Sequence, residues 1–181
     1  MEALRGGGDP LSARKQMMSR ITQASLVSAI KQIADTDPGA RESICDEIFV
    51  EQPNLLASVL VLTKMDIPPR HVEMALEAFM VMHLALKASG KRIETIKEEE
   101  QERELQRLVA SVRFSEGLKL PLVEESVSQY VGFQKEPWLL AYVVGLLQDN
   151  GALSMTNEGS KYLILSVLNL VACVANARSG V

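Results

Sequence analysis

Four side chains that could take part in metal or acid–base chemistry lie close together in the chain: His71, Glu73, Glu77 and His83. Imidazole and carboxylate groups bind metal ions and transfer protons. On a helix, groups share a face when they are three or four residues apart, and only Glu73 and Glu77 have that spacing. His83 lies about 600° of helical rotation beyond Glu77, and no Glu-x-x-His pair of the di-iron type occurs. The spacing predicts a polar helix edge and one partly buried histidine, His83, with no metal and no cofactor.

The sequence contains no recognised motif for nucleophilic catalysis or for nucleotide binding. Cys45 and Cys173 lie in apolar periodic stretches without CxxC spacing, which favours free buried thiols over a disulfide. There is no GxSxG elbow and no GxxxxGK[ST] loop, and the glycines at 6–8 follow no strand. The sequence therefore predicts no catalytic residues and a protein that is not an enzyme.

The predicted helices around these residues are part of an internal sequence repeat. Two segments of the chain are similar in sequence. They are residues 42–62, ESICDEIFVEQPNLLASVLVL, and residues 125–146, ESVSQYVGFQKEPWLLAYVVGL, in which Gly132 is the one extra residue. Residue 53 matches residue 137, an offset of 84 that holds for six identical positions of the first copy: Pro53, Leu55, Leu56, Ala57, Val59 and Leu62. This match predicts a duplicated helical unit.

Helical periodicity and turn signals predict an all-α fold. The first helix should start near Ser12 and end at the turn 37–39, and Gly90 should close the fourth helix in the left-handed conformation. A charged junction helix is expected at 91–107. The other predicted helices are 40–50, one that starts at Pro53, 70–89, 122–131, 137–147 and 157–177.

The predicted organisation is a tandem duplication of a roughly four-helix unit, which forms one compact bundle or two closely packed domains. Residues 1–10 are expected to form a flexible N-terminal segment, 11–90 the first unit and 91–178 the second, and the units are expected to pack through their apolar fourth and eighth helices.

The net charge of the chain and the length of its last helix limit the partners and the cellular location that the sequence predicts. A net charge of −4 gives no general attraction to nucleic acid or to anionic membranes. The last helix, 162–177, is apolar but shorter than the roughly 20 residues of a membrane span, and it contains Asn169 and Asn176. It is therefore predicted to be buried, without stable membrane insertion. The N-terminus has no export signal, which predicts a cytoplasmic protein.

Flexible apolar side chains give the candidate interface. On a helix that is apolar nearly all round, the methionines are expected mainly in the core, but their flexible side chains could also adapt to a partner surface or close a dimer. A tryptophan in the first turn of a helix can anchor a contact. The candidate interface residues are Trp138, Met74, Met80, Met82 and His83.

The predicted function is that of a non-catalytic intracellular interaction or regulatory protein, which binds a protein partner or associates with itself as a homodimer. One alternative is a carrier of a small apolar ligand such as an acyl chain, in a pocket of roughly 300 Å³ or more lined by Met80, Val81 and Leu165. A second alternative is a DNA-binding regulator with a winged-helix-like element at 146–163, where Lys161 is the single basic residue.

Overall fold

The chain is all-helical over residues 19–115, 135–153 and 158–180, which are the residues that the computed structural model describes. Seven α-helices lie in these ranges, and α3 continues into a short 3₁₀ helix, Val61–Lys64. The helices are α1 (Gln23–Asp35), α2 (Pro38–Glu51), α3 (Pro53–Leu60), α4 (Pro69–Ala88), α5 (Glu98–Ser115), α6 (Pro137–Asp149) and α7 (Glu158–Asn176). The described ranges hold no strand, only an isolated antiparallel bridge between Ile93 and Ser179.

Short-range signals account for most of the helix ends. Thr22 caps α1 through a reciprocal capping box with Ser25, and the Asp37 side chain accepts a hydrogen bond from the N–H of Ala40. Proline occupies the first position of α2, α3, α4 and α6, where the missing N–H costs no hydrogen bond. Gly90 and Gly151 have φ values of 63° and 65°, which confirms the predicted left-handed residue after the fourth helix.

Helix α4 lies at the centre of the fold, as its apolar circumference predicts. It contacts α1, α2, α3, α6 and α7, and its most extensive contact is with α1. Helix α7 packs mainly on α5 and also contacts α3, α4 and α6. Among the residues that the structure describes, one hydrophobic core cluster contains residues from both predicted units, including Ile33, Val59, Met82, Leu139 and Leu170. The two sequence halves therefore share one core.

The predicted junction helix at 91–107 is wrong in its first part, because the helix begins at Glu98. Ile93 forms the bridge to Ser179, and Ile96 is buried with its N–H bonded to the Gln52 side chain. These tertiary contacts hold residues 91–97 in a non-helical conformation that local charge patterning does not encode.

Several sequence-based expectations fall on residues outside the described ranges. They include the flexible segment 1–10, the helix 122–131 and most of the second copy of the repeat before residue 135. The predicted first helix is wrong in residues 19–22, which are not helical, because the N–H groups of Arg20 and Ile21 bond to Glu136 and Thr22 caps a helix that begins at Gln23. In the proposed winged-helix element, α6 ends at Asp149, a turn follows to Leu153, and residues 154–157 are not described.

Candidate functional site

A small cleft of about 60 Å³ lies where the ends of α2 and α4 meet the segment that follows Gly90. Its apolar floor is formed by Phe79, Met82, Leu86, Ile93 and Val174. Its polar rim is formed by Glu51, Gln52, His83, Lys87, Lys91 and Arg92. Val174 comes from α7, so both sequence halves contribute to this cleft, which we call the junction cleft.

His83 is one of two buried polar residues that line the junction cleft, with 6% of its surface exposed, and Gln52 is the other. Its Nε2 lies 3.3 Å from Glu47 Oε2, and its Nδ1 lies 3.8 Å from Glu51 Oε2. Glu47 also accepts a hydrogen bond from the Lys87 ammonium. These hydrogen bonds from Lys87 and His83 lower the pKa of the Glu47 carboxyl below its ordinary value. A chain of polar contacts thus runs from the Lys87 ammonium through the Glu47 carboxylate to the buried imidazole.

Two further cations on the rim, Lys91 and Arg92, have no carboxylate partner among the described residues of the kind that Lys87 has in Glu47. Within the part of the chain that the structure describes, the side chains of Lys91 and Arg92 form no hydrogen bond or ion pair. Both residues are exposed at their place on the rim. Their charges are therefore available to a ligand.

A second cleft of about 60 Å³ lies between α5 and the end of α7, and carboxylates dominate its rim. Glu94, Glu100 and Glu104 line it together with Arg103 and Arg178. Neither cleft approaches the volume of roughly 300 Å³ expected of an acyl-chain carrier, and neither is lined by Met80, Val81 or Leu165.

Two buried polar side chains bind the backbone of the opposite sequence half. Gln52, just before Pro53, accepts a hydrogen bond from the N–H of Ile96 at 2.9 Å and donates one to the Glu94 carbonyl at 3.1 Å. Glu136, just before Pro137, is 1% exposed and accepts from the N–H of Ile21 at 3.1 Å. Its carboxylate also accepts from the Arg20 N–H at 2.7 Å and from the Ser19 hydroxyl at 2.6 Å. Both side chains thus hold a segment that leads into a helix.

The predicted interface residues are distributed between the core and its edge. Met74, Met80 and Met82 are buried in the shared core, His83 lies at the junction cleft, and Trp138 is half-buried in the first turn of α6. The burial of His83 agrees with the sequence-based expectation. The interface role of these five residues stays a prediction.

Sequence reasoning missed an exposed apolar pair at the end of α2. Phe49 is 63% and Val50 is 77% exposed, while Ile44 and Ile48 of the same helix are buried. The signal was available, because Val50 follows Ile48 by two residues and so points to a different side of the helix.

One described helix, α7, is long and apolar enough to cross a membrane by length and composition, and 61% of its most apolar window is buried inside the protein. That degree of burial is typical of a core helix. The described residues contain no group of three His, Cys, Asp or Glu side chains that could hold a metal ion.

The two cysteines are free and differ in their surroundings. Burial raises the pKa of the Cys173 thiol to about 12, with a contribution from Glu104 and Glu100, and Cys173 is 2% exposed. Cys45 is half-buried, and its pKa is raised by burial and then by Asp46 and Glu42.

We expect iodoacetamide at pH 8 to alkylate Cys45 at least tenfold faster than Cys173 in the native protein, because the thiolate is the nucleophile and Cys173 is both less ionised and less accessible. Peptide mass spectrometry over a time course measures the two rates, and the urea-unfolded chain is the control in which they should converge. Equal rates in the native protein would contradict the burial of Cys173.

Comparison with known proteins adds no family to this description, since no protein-family model, no curated protein and no solved structure matches the chain.

Proposed function

We propose that the chain is a non-catalytic, cytoplasmic interaction or regulatory protein built from two related helical units, and that it binds a protein partner through the exposed face of α2. The observation that carries the proposal is the exposed Phe49 and Val50 pair. Aromatic side chains in exposed positions are typical of the anchors that dominate protein interfaces.

Equivalent contacts in the two halves support the duplicated unit. The repeat offset of 84 relates Gln52 to Glu136, and each residue accepts a hydrogen bond from the N–H of a buried isoleucine, Ile96 or Ile21, two residues before a helix begins. The helix pairings are also equivalent. Helix α1 packs mainly with α4 as α5 packs with α7, while α3 contacts α7 and α6 contacts α4. The helices that start at Pro53 and Pro137, α3 and α6, thus each contact both α4 and α7, one from each sequence half.

The charge around the apolar pair indicates the chemistry of the partner. Glu42, Asp46 and Phe49 lie at i, i+4 and i+7, which places them on one side of α2, and all three are exposed. A partner segment with apolar side chains flanked by Lys or Arg would bury Phe49 and Val50 and complement the two carboxylates. We therefore expect a basic amphipathic segment as the occupant of this face.

A photo-crosslinking amino acid at position 49 tests this proposal in living cells. The control carries the same crosslinker at Tyr162, which is 49% exposed on α7. We expect position 49 to label a defined protein through a basic, apolar peptide, and position 162 to label it weakly. With that protein purified, Phe49→Asp should weaken binding at least tenfold, because it removes the aromatic anchor and adds a third carboxylate, whereas Tyr162→Asp should change binding less than twofold.

Two outcomes would contradict the assignment of the occupant. Crosslinks from position 49 to a second copy of the chain would assign the face to self-association. Equal labelling from positions 49 and 162 would remove any preference for α2.

A further inference from the structure

We propose that the junction cleft binds a compact dianion, a phosphate group as inorganic phosphate or as a phosphate monoester, through Lys91 and Arg92. This binding site is separate from the exposed face of α2 and does not depend on the function proposed for it. The first support is the charge of the cleft, whose lining holds the cations Lys87, Lys91 and Arg92 and the carboxylate Glu51. Because Lys87 is paired with Glu47, the unpaired positive charges are those of Lys91 and Arg92, and they outnumber the one carboxylate of the lining, Glu51, which lies 3.8 Å from His83 Nδ1.

The shape of the cleft supports a small anionic group rather than a polyanion. A volume of about 60 Å³ holds a phosphate head group and leaves the remainder of an ester in solvent. The guanidinium of Arg92 can form two parallel hydrogen bonds to phosphate oxygens, and the Lys91 ammonium adds a point charge. The floor of Phe79, Met82 and Leu86 lowers the local dielectric constant, which strengthens these charge interactions relative to open solvent.

His83 makes the site observable. Its imidazole lines the cleft beside Glu51, so a bound dianion changes the electrostatic field at the ring and with it the NMR signals of the ring. The chain contains only one other histidine, His71, whose Nε2 lies 3.3 Å from the Asn150 carbonyl in a contact with the end of α6. The two histidine signals therefore serve as reporter and internal reference.

The experiment is an NMR titration of the two histidine ring signals in the intact protein, at constant pH and ionic strength, with inorganic phosphate and with phenyl phosphate as probes and sodium chloride as the control. We expect a saturable shift of the His83 signals with a millimolar apparent Kd, and no saturable shift of His71. The double variant Lys91→Gln, Arg92→Gln should weaken binding at least tenfold. The control variant Lys31→Gln, Lys64→Gln removes the same net charge from exposed positions outside the cleft and should bind as the wild type does.

Comparison of the two probes identifies the natural form of the group. Equal affinities would indicate free phosphate, and tighter binding of phenyl phosphate would indicate an ester whose organic part reaches the apolar floor. The proposal is overturned if His83 does not respond at tens of millimolar phosphate, if His71 responds equally, or if the cleft double variant retains wild-type affinity.

Discussion

Replacement of Glu136 by alanine is expected to lower the free energy of unfolding by about 3–5 kcal/mol, because it leaves one buried and two partly buried hydrogen-bond donors without an acceptor. The Glu136 carboxylate accepts from the N–H groups of Arg20 and Ile21 and from the Ser19 hydroxyl, and it is almost completely buried. Urea unfolding followed by far-UV circular dichroism measures the loss. Hydrogen exchange of the Ile21 amide should accelerate in the same variant.

Two further variants separate this contact from a general effect of mutation. Gln52→Ala removes the corresponding contact to Ile96 in the other half and should cost about 1–3 kcal/mol, since one buried N–H loses its acceptor. Glu158→Ala removes an exposed carboxylate at the start of α7 and should change stability by less than about 0.5 kcal/mol. A loss below about 1 kcal/mol for Glu136→Ala would contradict the role of this carboxylate in holding residues 19–21.

The consequence for the fold is that neither half is complete alone. Residues 19–21, which lead into α1, are held by a residue just before α6, and residues 94–96, which lead into α5, are held by one just before α3. Arg20 strengthens the first connection, because its guanidinium donates to the carbonyls of Val174 and Ala177 at the end of α7. We therefore expect cooperative, single-step unfolding of the two halves.

Local signals were sufficient for most helix ends and for the central helix. Pro53 and Pro137 each start a helix, Gly90 ends one, and the apolar circumference of α4 predicted its central position. Residues 91–97 show the limit of such signals. Their charge pattern continues into α5, but Ile93 and Ile96 are held by Ser179 and Gln52, which are distant in sequence.

The junction cleft could be predicted only in part, because its geometry also depends on contacts between residues that are distant in sequence. The spacing along α4 indicated that His83 is partly buried and has no carboxylate partner on its own helix, and the structure agrees. Its partners Glu47 and Glu51 lie on α2, and their approach depends on how α2 packs against α4. A glutamate before a proline, such as Glu136, is typical of an exposed helix start, so the sequence around it gives no sign of its burial.

Gly159 marks a second place where distant segments meet too closely for a side chain. It lies in the first turn of α7 and is buried. A Cβ atom added to it would lie 2.6 Å from the Asp66 carbonyl oxygen and 3.1 Å from Cγ1 of Ile67. The first contact is to backbone, which cannot rotate away as a side chain can. An alanine therefore requires a shift of α7 or of the segment before α4.

We expect Gly159→Ala to lower the free energy of unfolding by about 3 kcal/mol, near the upper end for overpacking, because α7 carries a large part of the shared core. Gly145 in α6 is the matched control, since a Cβ atom there meets nothing within 4 Å. Gly145→Ala should stabilise the protein by about 0.5–1 kcal/mol through helix propensity. Chemical denaturation of both variants measures the difference, and stabilisation by both would mean that α7 does not approach Asp66. Glycine-to-alanine substitution is thus expected to raise stability at position 145 and to lower it at position 159. Helix propensity favours alanine at both positions, so the difference between them comes from packing.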